Sequence, residues 1–309
     1  MTRLDFLNQY YPIRKSEDDK HIFRRYILED MKKKGIDCHV EETNDGKNKN
    51  IVIGNPASAK AVFTAHYDTP AQSLFPNIML PKDRALFYAY QFVPVIFLLI
   101  ISLALSYYFG IVLLNNTALY AVSFLVLYYG GFFLMMKAFS NKNNYNDNTS
   151  GVATVLTIID NLSPEALKNV AFILFDNEEK GKKGSMAYFK DHTAEMNEKF
   201  LLNFDCVGNG DNIIFIAQKG AMDSAEYSVL KKSFTDEMYF TTDFCTYKDG
   251  DSNSDHKSFP WGVACIACKK SKKGILYTPN IHTPKDVVVD NGNVDFLTKN
   301  ILNFVKNIL

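Results

Sequence analysis

The stretch Asn169-Val170-Ala171-Phe172-Ile173-Leu174-Phe175-Asp176-Asn177-Glu178-Glu179 decides how the rest of the chain is read. Asn169 to Phe175 is an apolar run of strand length, and the carboxylates Glu178 and Glu179 come just beyond its end. A short, continuous apolar run of this kind reads as a buried strand. On an extended backbone adjacent side chains point apart, so one carboxylate can hold a metal while its neighbour faces a substrate water. Alone, a Glu-Glu pair is common on surfaces. Here it keeps company with His66-Tyr67-Asp68, Asp147-Asn148, Asp205 and His282, each at the expected tip of a strand or in the loop after one.

Working outward, further strands are expected at Lys60 to Thr64, Phe200 to Phe204, Asn212 to Ala217 and Val263 to Cys268. Helices are expected at His21 to Lys34, Val152 to Leu162, Gly184 to Asp191, Ser224 to Phe234 and Val294 to Ile308, and Asp37 to Glu42 pairs with Asn50 to Gly54 as a hairpin. Strands alternating with helices predict an α/β fold with helices on both faces of one sheet.

Composition changes abruptly after Arg84. Ala85 to Gly110 and Asn116 to Met136 carry no charged residue. Each is long enough to cross a hydrocarbon core of about 30 Å, and neither has the polar face of an ordinary surface helix. Tyrosines near the ends, such as Tyr88, Tyr107, Tyr128 and Tyr129, suit an aromatic belt. Residues 85–138 are therefore expected to form a transmembrane helical hairpin in the lipid bilayer, inserted between residues 1–84 and 139–309 of one catalytic domain. Lys82, Arg84, Lys137 and Lys142 flank the hairpin, so the positive-inside tendency places the catalytic domain on the cytoplasmic side of the cell membrane. The opening of the chain lacks a secretory signal, and five scattered cysteines read as reduced thiols, in agreement. Cys265 and Cys268 lie three apart on a strand, so they face opposite sides and form no redox or chelating pair. The 34 basic and 34 acidic residues balance to zero, which argues against a nucleic-acid partner.

His66, Asp147, Glu179, Asp205 and His282 make a set of two imidazoles and three carboxylates. Nitrogen and oxygen donors without thiolate suit zinc, with cobalt or manganese as substitutes. Asp68, two residues after His66, is placed to accept a hydrogen bond from the non-ligating imidazole nitrogen. Asp147 sits just before a helix start, where its two oxygens could bridge two ions.

Six ordered segments carry a resemblance: Ala65-His66-Tyr67-Asp68, Asn146 to Gly151, Glu178 to Ser185, Asn203-Phe204-Asp205, Ser254-Asp255-His256 and His282 to Asp286. Together they resemble the successive motifs of the M28 zinc aminopeptidases. The resemblance implies a three-layer α/β/α sandwich around a mixed sheet, here interrupted by the hairpin. It implies two Zn2+, with His66 and Asp205 on one, Glu179 and His282 on the other, and Asp147 bridging. It makes Glu178 the general base in hydrolysis of the amino-terminal peptide bond of a peptide substrate, and sets His256 beside the substrate rim. The family's frequent cis peptide would fall at Asp147–Asn148. Lys182 stands where the family usually has an apolar residue, and the hairpin fills what is usually a short connection. Rival readings are a glutaminyl-cyclase-like acyltransferase, a membrane-bound scaffold that has lost its chemistry, and an M20-type carboxypeptidase.

Overall fold

The computed structural model describes residues 1–73, 77–137 and 139–309. Its strands, among the described residues, are β1 (Cys38–Glu42), β2 (Lys49–Ile53), β3 (Ala61–His66), β4 (Ile78–Met79), β5 (Val170–Phe175), β6 (Leu201–Phe204), β7 (Asn212–Ala217), β8 (Thr241–Thr246), β9 (Gly262–Lys270) and β10 (Leu276–Pro279). The helices are α1 (Arg3–Tyr10), α2 (Glu17–Lys33), α3 (Arg84–Tyr107), α4 (Thr117–Lys137), α5 (Gly151–Asn161), α6 (Pro164–Leu167), α7 (Lys183–Asp191), α8 (Thr193–Met196), α9 (Ala225–Ser233) and α10 (Asn291–Ile308).

One mixed sheet runs β1-β2-β5-β3-β6-β9-β10-β4, with β7 pairing β9 and carrying β8 beyond it. Strands β5, β3, β6 and β9 are mutually parallel, whereas β2 meets β5 antiparallel. The apolar run Asn169 to Phe175 supplies central strand β5, and its period of two serves both layers. Val170, Phe172 and Leu174 enter a core with residues of α1, α2, α5, α9 and α10. Ala171, Ile173 and Phe175 enter the opposite one, against Tyr188 of α7 and Met196 of α8. This is the expected three-layer sandwich. The two faces of β9 separate Cys265 from Cys268 in the same way, one thiol in each of two different cores.

Several elements differ from expectation. Helix α1 is not signalled by periodicity, although Thr2 and Asp5 form a capping box at its start; only Leu4 and Leu7 reach the core, too few to set a period. Helix α2 begins four residues earlier than expected because Ser16 and Asp19 form a capping box there. Strands β4 and β10 are too short for a pattern, and β8 is mostly half-exposed.

Helices α3 and α4 lie outside the sandwich. Arg84–Leu113, which includes a π-helical continuation from Tyr108, and Thr117–Met135 are both long and apolar enough to cross a membrane. They are not core helices: only 17% and 0% of their most apolar windows are buried. The two pack on each other through small residues. Ser102, Ser106 and Gly110 are buried at four-residue spacing, and a Cβ on Gly110 would come within 2.5 Å of the Tyr120 backbone. Residue 138, the last of the expected insertion, lies outside the described residues.

Candidate metal centre

Each candidate side chain leaves the sheet at the carboxyl end of a strand or in an adjoining turn, the usual place for a site in an α/β sheet. His66 ends β3, Glu178 and Glu179 come after β5, and Asp205 comes after β6. Asp147 lies in the turn ahead of α5, and His282 lies just after β10. Backbone conformation aims several of them. Asn177, Cys206 and His282 take left-handed φ of 55°, 56° and 58°, a conformation that is uncommon for non-glycine residues and clusters at functional sites. The Asp147–Asn148 peptide is cis.

These residues converge as two facing triads that share Asp147. His66, Asp147 and Asp205 offer ligand atoms within 4.8 Å of one another, and so do Asp147, Glu179 and His282. His66 Nε2 lies 3.4 Å from Asp147 Oδ1 and 3.7 Å from Asp205 Oδ1. His282 Nε2 lies 3.0 Å from Asp147 Oδ2 and 3.3 Å from Glu179 Oε2. A further grouping, His66 with Glu178 and Glu179, puts the first glutamate beside the same centre.

Two expectations need correction. Glu178 and Glu179 are not on extended backbone: they open a 3₁₀ turn, Glu178–Lys180. Their divergence comes from that turn and from Asn177, not from strand pleating. Nor does the Asp68 carboxylate chiefly orient His66. His66 Nδ1 approaches the Asp68 backbone carbonyl at 3.1 Å, and the carboxylate only at 3.6 Å. Asp68 instead accepts hydrogen bonds from the backbone N–H groups of Glu178 at 3.0 Å and Glu179 at 3.2 Å, and so grips the turn that presents both glutamates.

His256 is also displaced from its expected place. It is wholly buried, and neither ring nitrogen has a hydrogen-bond partner among the described residues. Burial holds its imidazole down to about 3, in the neutral form. Asp251, Ser252 and Asn253 of the same segment reach the site's cavity instead.

Three residues with no expected role support the centre. Arg14 is wholly buried and donates to the Tyr67 and Tyr11 carbonyls at 2.5 and 2.6 Å. Burial lowers it to about 10, while Asp68 and Asp147 push back upward. No local pattern announces it. Asp286 accepts from the backbone N–H groups of Asn146 and Asp147, each at 3.0 Å, which fixes the turn carrying Asp147. Asp255 is fully buried, and neither oxygen has a hydrogen-bond partner among the described residues. Asp255 and Asp286 lie inside two of the six motif segments, so the signal for them was present.

The electrostatics describe a site short of positive charge. Burial drives Glu178 well above the ordinary carboxylate range, and raises Glu179 to about 8 and Asp255 to about 7. Burial opposes charge on His282 as well, yet Glu179 and Asp147 lift it to about 10. His66 is raised for the same reason, by Asp147, Asp205 and Asp68. Protons are thus held where cations would serve better. Buried Glu179 Oε1 and Asp205 Oδ1 have no hydrogen-bond partner among the described residues. Unpaired buried oxygens of this kind, with imidazoles at hand and no thiolate, fit divalent zinc. A cavity of about 280 Å3 opens against Asp147, Glu178, Asp205 and His282, with Arg84 and Phe87 of α3 in its wall.

The model of peptidase family M28 matches residues 138–305, more than half of the chain. The matched span includes Asp147, Glu178, Glu179, Asp205 and His282; His66 and Asp68 precede it. No curated protein matches the chain. Solved structures share its fold. The LapA aminopeptidase of Legionella pneumophila superposes with a TM-score of 0.56 at 16% identity, covering 99% of this chain and 69% of that one. The glutaminyl cyclase of Porphyromonas gingivalis gives 0.57 at 13% identity, covering 100% and 98%. The glutaminyl cyclase of Fimbriiglobus ruber gives 0.53 at 13% identity, covering 99% and 94%.

Proposed function

Because the chain belongs to peptidase family M28, we propose that it is a zinc-dependent aminopeptidase that removes the first residue of peptides at the face of a membrane. The observation that carries this reading is the pair of triads sharing Asp147. On it, His66 and Asp205 would hold one zinc ion and Glu179 and His282 a second, with Asp147 common to both triads. Bound zinc would supply Lewis acidity, polarising the scissile carbonyl and making a water acidic enough to attack at neutral pH.

The protein's own groups do the rest. Glu178 lines the cavity, and its burial favours proton uptake. It takes a proton from the attacking water and returns it to the departing amine, the two transfers expected of one general base and acid. Asp68 keeps the Glu178 turn in place, and Asp286 keeps the Asp147 turn.

Residues 85–138 form an insertion that divides the catalytic domain, 1–84 with 139–309, and anchors it in the bilayer. Support comes from the length, apolarity and exposure of α3 and α4. Lys82, Arg84 and Lys142 flank them, which favours a cytoplasmic catalytic domain.

The cyclase neighbours share this fold, so the test must separate the two chemistries. Full-length protein in detergent micelles is given a leucyl peptide and a peptide with amino-terminal glutamine, with and without chelator. Release of free leucine that chelator abolishes and zinc restores supports the aminopeptidase. Cyclised glutamine without residue release would replace that reading.

A further inference from the structure

Two of the cations beside the hairpin are already engaged within the protein. Lys82 pairs with Asp243 of β8, and Arg84 donates to the backbone carbonyls of Tyr247 and Gly250. Uncommitted positive charge lies instead in Lys269-Lys270-Ser271-Lys272-Lys273, where β9 turns into β10. Lys270, Lys272 and Lys273 are exposed, and Lys269 is half-buried. None of the four ammonium groups has a hydrogen bond or ion pair among the described residues. A lysine run by itself is an ordinary solvated turn; the position of this one sets it apart.

Strand register fixes that position. β9 runs parallel to β6, with Cys265 level with Phe204, the last residue of β6. Lys270 lies five residues further on, so at about 3.3 Å per residue β9 carries it ~16 Å past the end of β6. Asp205 follows β6, and the lysine turn therefore projects beyond the edge of the sheet that bears the candidate metal centre. The base of the hairpin stands at this edge too, for Phe87 and Gln91 of α3 share a cavity with Asp147, Glu178 and Asp205. β4 points the same way as β9, since both are antiparallel to β10, and α3 opens shortly after β4 ends.

Exposed apolar side chains gather at the same edge. Thr241 opens β8 level with Asn212, which is level with Cys268 of β9. The loop before β8 thus lies beside the lysine turn, and it presents Met238 and Tyr239, 87% and 76% exposed. Tyr239, Lys269 and Lys270 line one cavity; Asp211 and Asp290 line it as well, but neither forms an ion pair with these lysines. Anionic headgroups attract lysines next to a membrane span, and tyrosine sits at headgroup level with its ring toward the acyl chains. An acidic protein would suit the lysines but not the exposed apolar pair, and the hairpin already brings this edge to lipid.

We propose that the β9–β10 turn and the loop before β8 form a second membrane contact, in which Lys269, Lys270, Lys272 and Lys273 bind anionic lipid headgroups while Met238 and Tyr239 enter the interface. This rests on the reading of α3 and α4 as a membrane anchor. A hairpin alone leaves the catalytic domain free to swing about its base. The second contact fixes one edge of the sheet against the leaflet.

For the test, full-length protein is reconstituted in phosphatidylcholine vesicles with brominated acyl chains, with or without phosphatidylserine. Trp261, the only native tryptophan, lies just before β9 at the opposite edge, and Tyr239→Trp adds a reporter at the contact. The added tryptophan is expected to be quenched by bromine more strongly in the anionic vesicles than in the neutral ones, whereas Trp261 alone stays bright in both. Each lysine is worth about fivefold in the ratio of docked to undocked protein, so replacing all four by glutamine should lower it roughly 10²–10³-fold and remove the excess quenching. Salt at ~1 M, where the screening length falls to about 3 Å, should act likewise. Alkaline carbonate extraction reads the anchor separately. If carbonate strips the protein but quenching depends on phosphatidylserine and on the lysines, the lipid contact stands and the anchor is refuted. If the protein resists carbonate but is quenched alike in both vesicles, or alike with and without the four lysines, the anchor stands and the lipid contact is refuted. Retention of polyglutamate by the micellar protein, without lysine-dependent quenching, would assign the turn to an acidic protein and also overturn the proposal.

Discussion

Replacing Asp68 by asparagine separates two roles that one carboxylate could play. The carboxylate is buried and spends one oxygen on the Glu178 N–H and the other on the Glu179 N–H. Asparagine keeps one acceptor but turns its NH2 toward the other N–H, donor against donor at about 3 Å. One charge-assisted hydrogen bond is lost and a buried donor is stranded, a cost of about 1.5–3 kcal/mol. The turn then relaxes, and Glu178 moves with it. A misplacement of ~1 Å costs on the order of 100-fold in rate. The His66 contact, in contrast, goes mainly to the Asp68 backbone carbonyl, which the substitution leaves in place. Asp68→Asn is therefore expected to keep zinc at the His66–Asp205 triad while weakening the ion assigned to Glu179, whose N–H it also releases, to lose ~100-fold in kcat on a leucyl amide, and to melt earlier. Elemental analysis, steady-state kinetics and thermal unfolding on one preparation read all three. Loss of zinc from the His66–Asp205 triad with normal turnover by the fully loaded protein would refute the reasoning and return Asp68 to orienting the imidazole.

Glu178→Gln should retain both metals while kcat falls by about 10²–10⁴-fold, the usual share of general acid–base catalysis; near-normal turnover would remove Glu178 from the mechanism. Asp147→Asn should lower bound metal on elemental analysis, because both triads draw on its oxygens. Gly110→Leu should push α3 and α4 apart, since its Cβ would lie 2.5 Å from the Tyr120 backbone. A cost of about 1–3 kcal/mol is expected, visible as earlier melting in micelles, and an unchanged transition would deny the close approach. The last concerns pH. Burial pulls the His192 imidazole down, but hydrogen bonds to Glu41 and Glu195 outweigh it and hold it above its ordinary 6.5. Its contribution, about 1 kcal/mol or less for so accessible a group, is fully present below pH 6.5 and lost as pH rises through the raised value. The decline in melting temperature above pH 6.5 should be shallower in His192→Gln.

Much of this was legible in the chain because strand ends are easy to read and chemistry gathers there. An apolar run such as Val170–Phe175 fixes a buried strand, and the residues just past its end lie at the sheet's carboxyl edge. That reasoning located His66, Glu178, Glu179 and Asp205 without coordinates. It could not see how the glutamates diverge, because that depends on Asn177 adopting a left-handed φ, which asparagine permits without announcing. Arg14 was invisible for a different reason. Two of its partners, the carbonyls of Tyr11 and Tyr67, are backbone groups that no side-chain pattern encodes, and a third, the Thr149 hydroxyl, is remote in the chain. His256 was read at the substrate rim, whereas it is buried and the neighbouring Asp251, Ser252 and Asn253 line the cavity instead. Strands β4 and β10 pair with each other over two residue pairs, a span that no periodicity can register.

The strand order also governs how the molecule can be assembled during synthesis. Strand β3 carries His66, yet its only strand neighbours among the described residues are β5 and β6, and both are made after the hairpin. β2, too, finds its second neighbour only in β5. At about 5–20 residues per second, a ribosome must work for several seconds beyond β3 before its first partner exists. During that interval the amino-terminal segment has no sheet to join, while the most apolar part of the chain emerges and must be accommodated. Completion of the site is thus ordered in time after the hairpin's own emergence, so the chain cannot bring His66 together with Glu179, Asp205 and His282 before α3 and α4 have been produced.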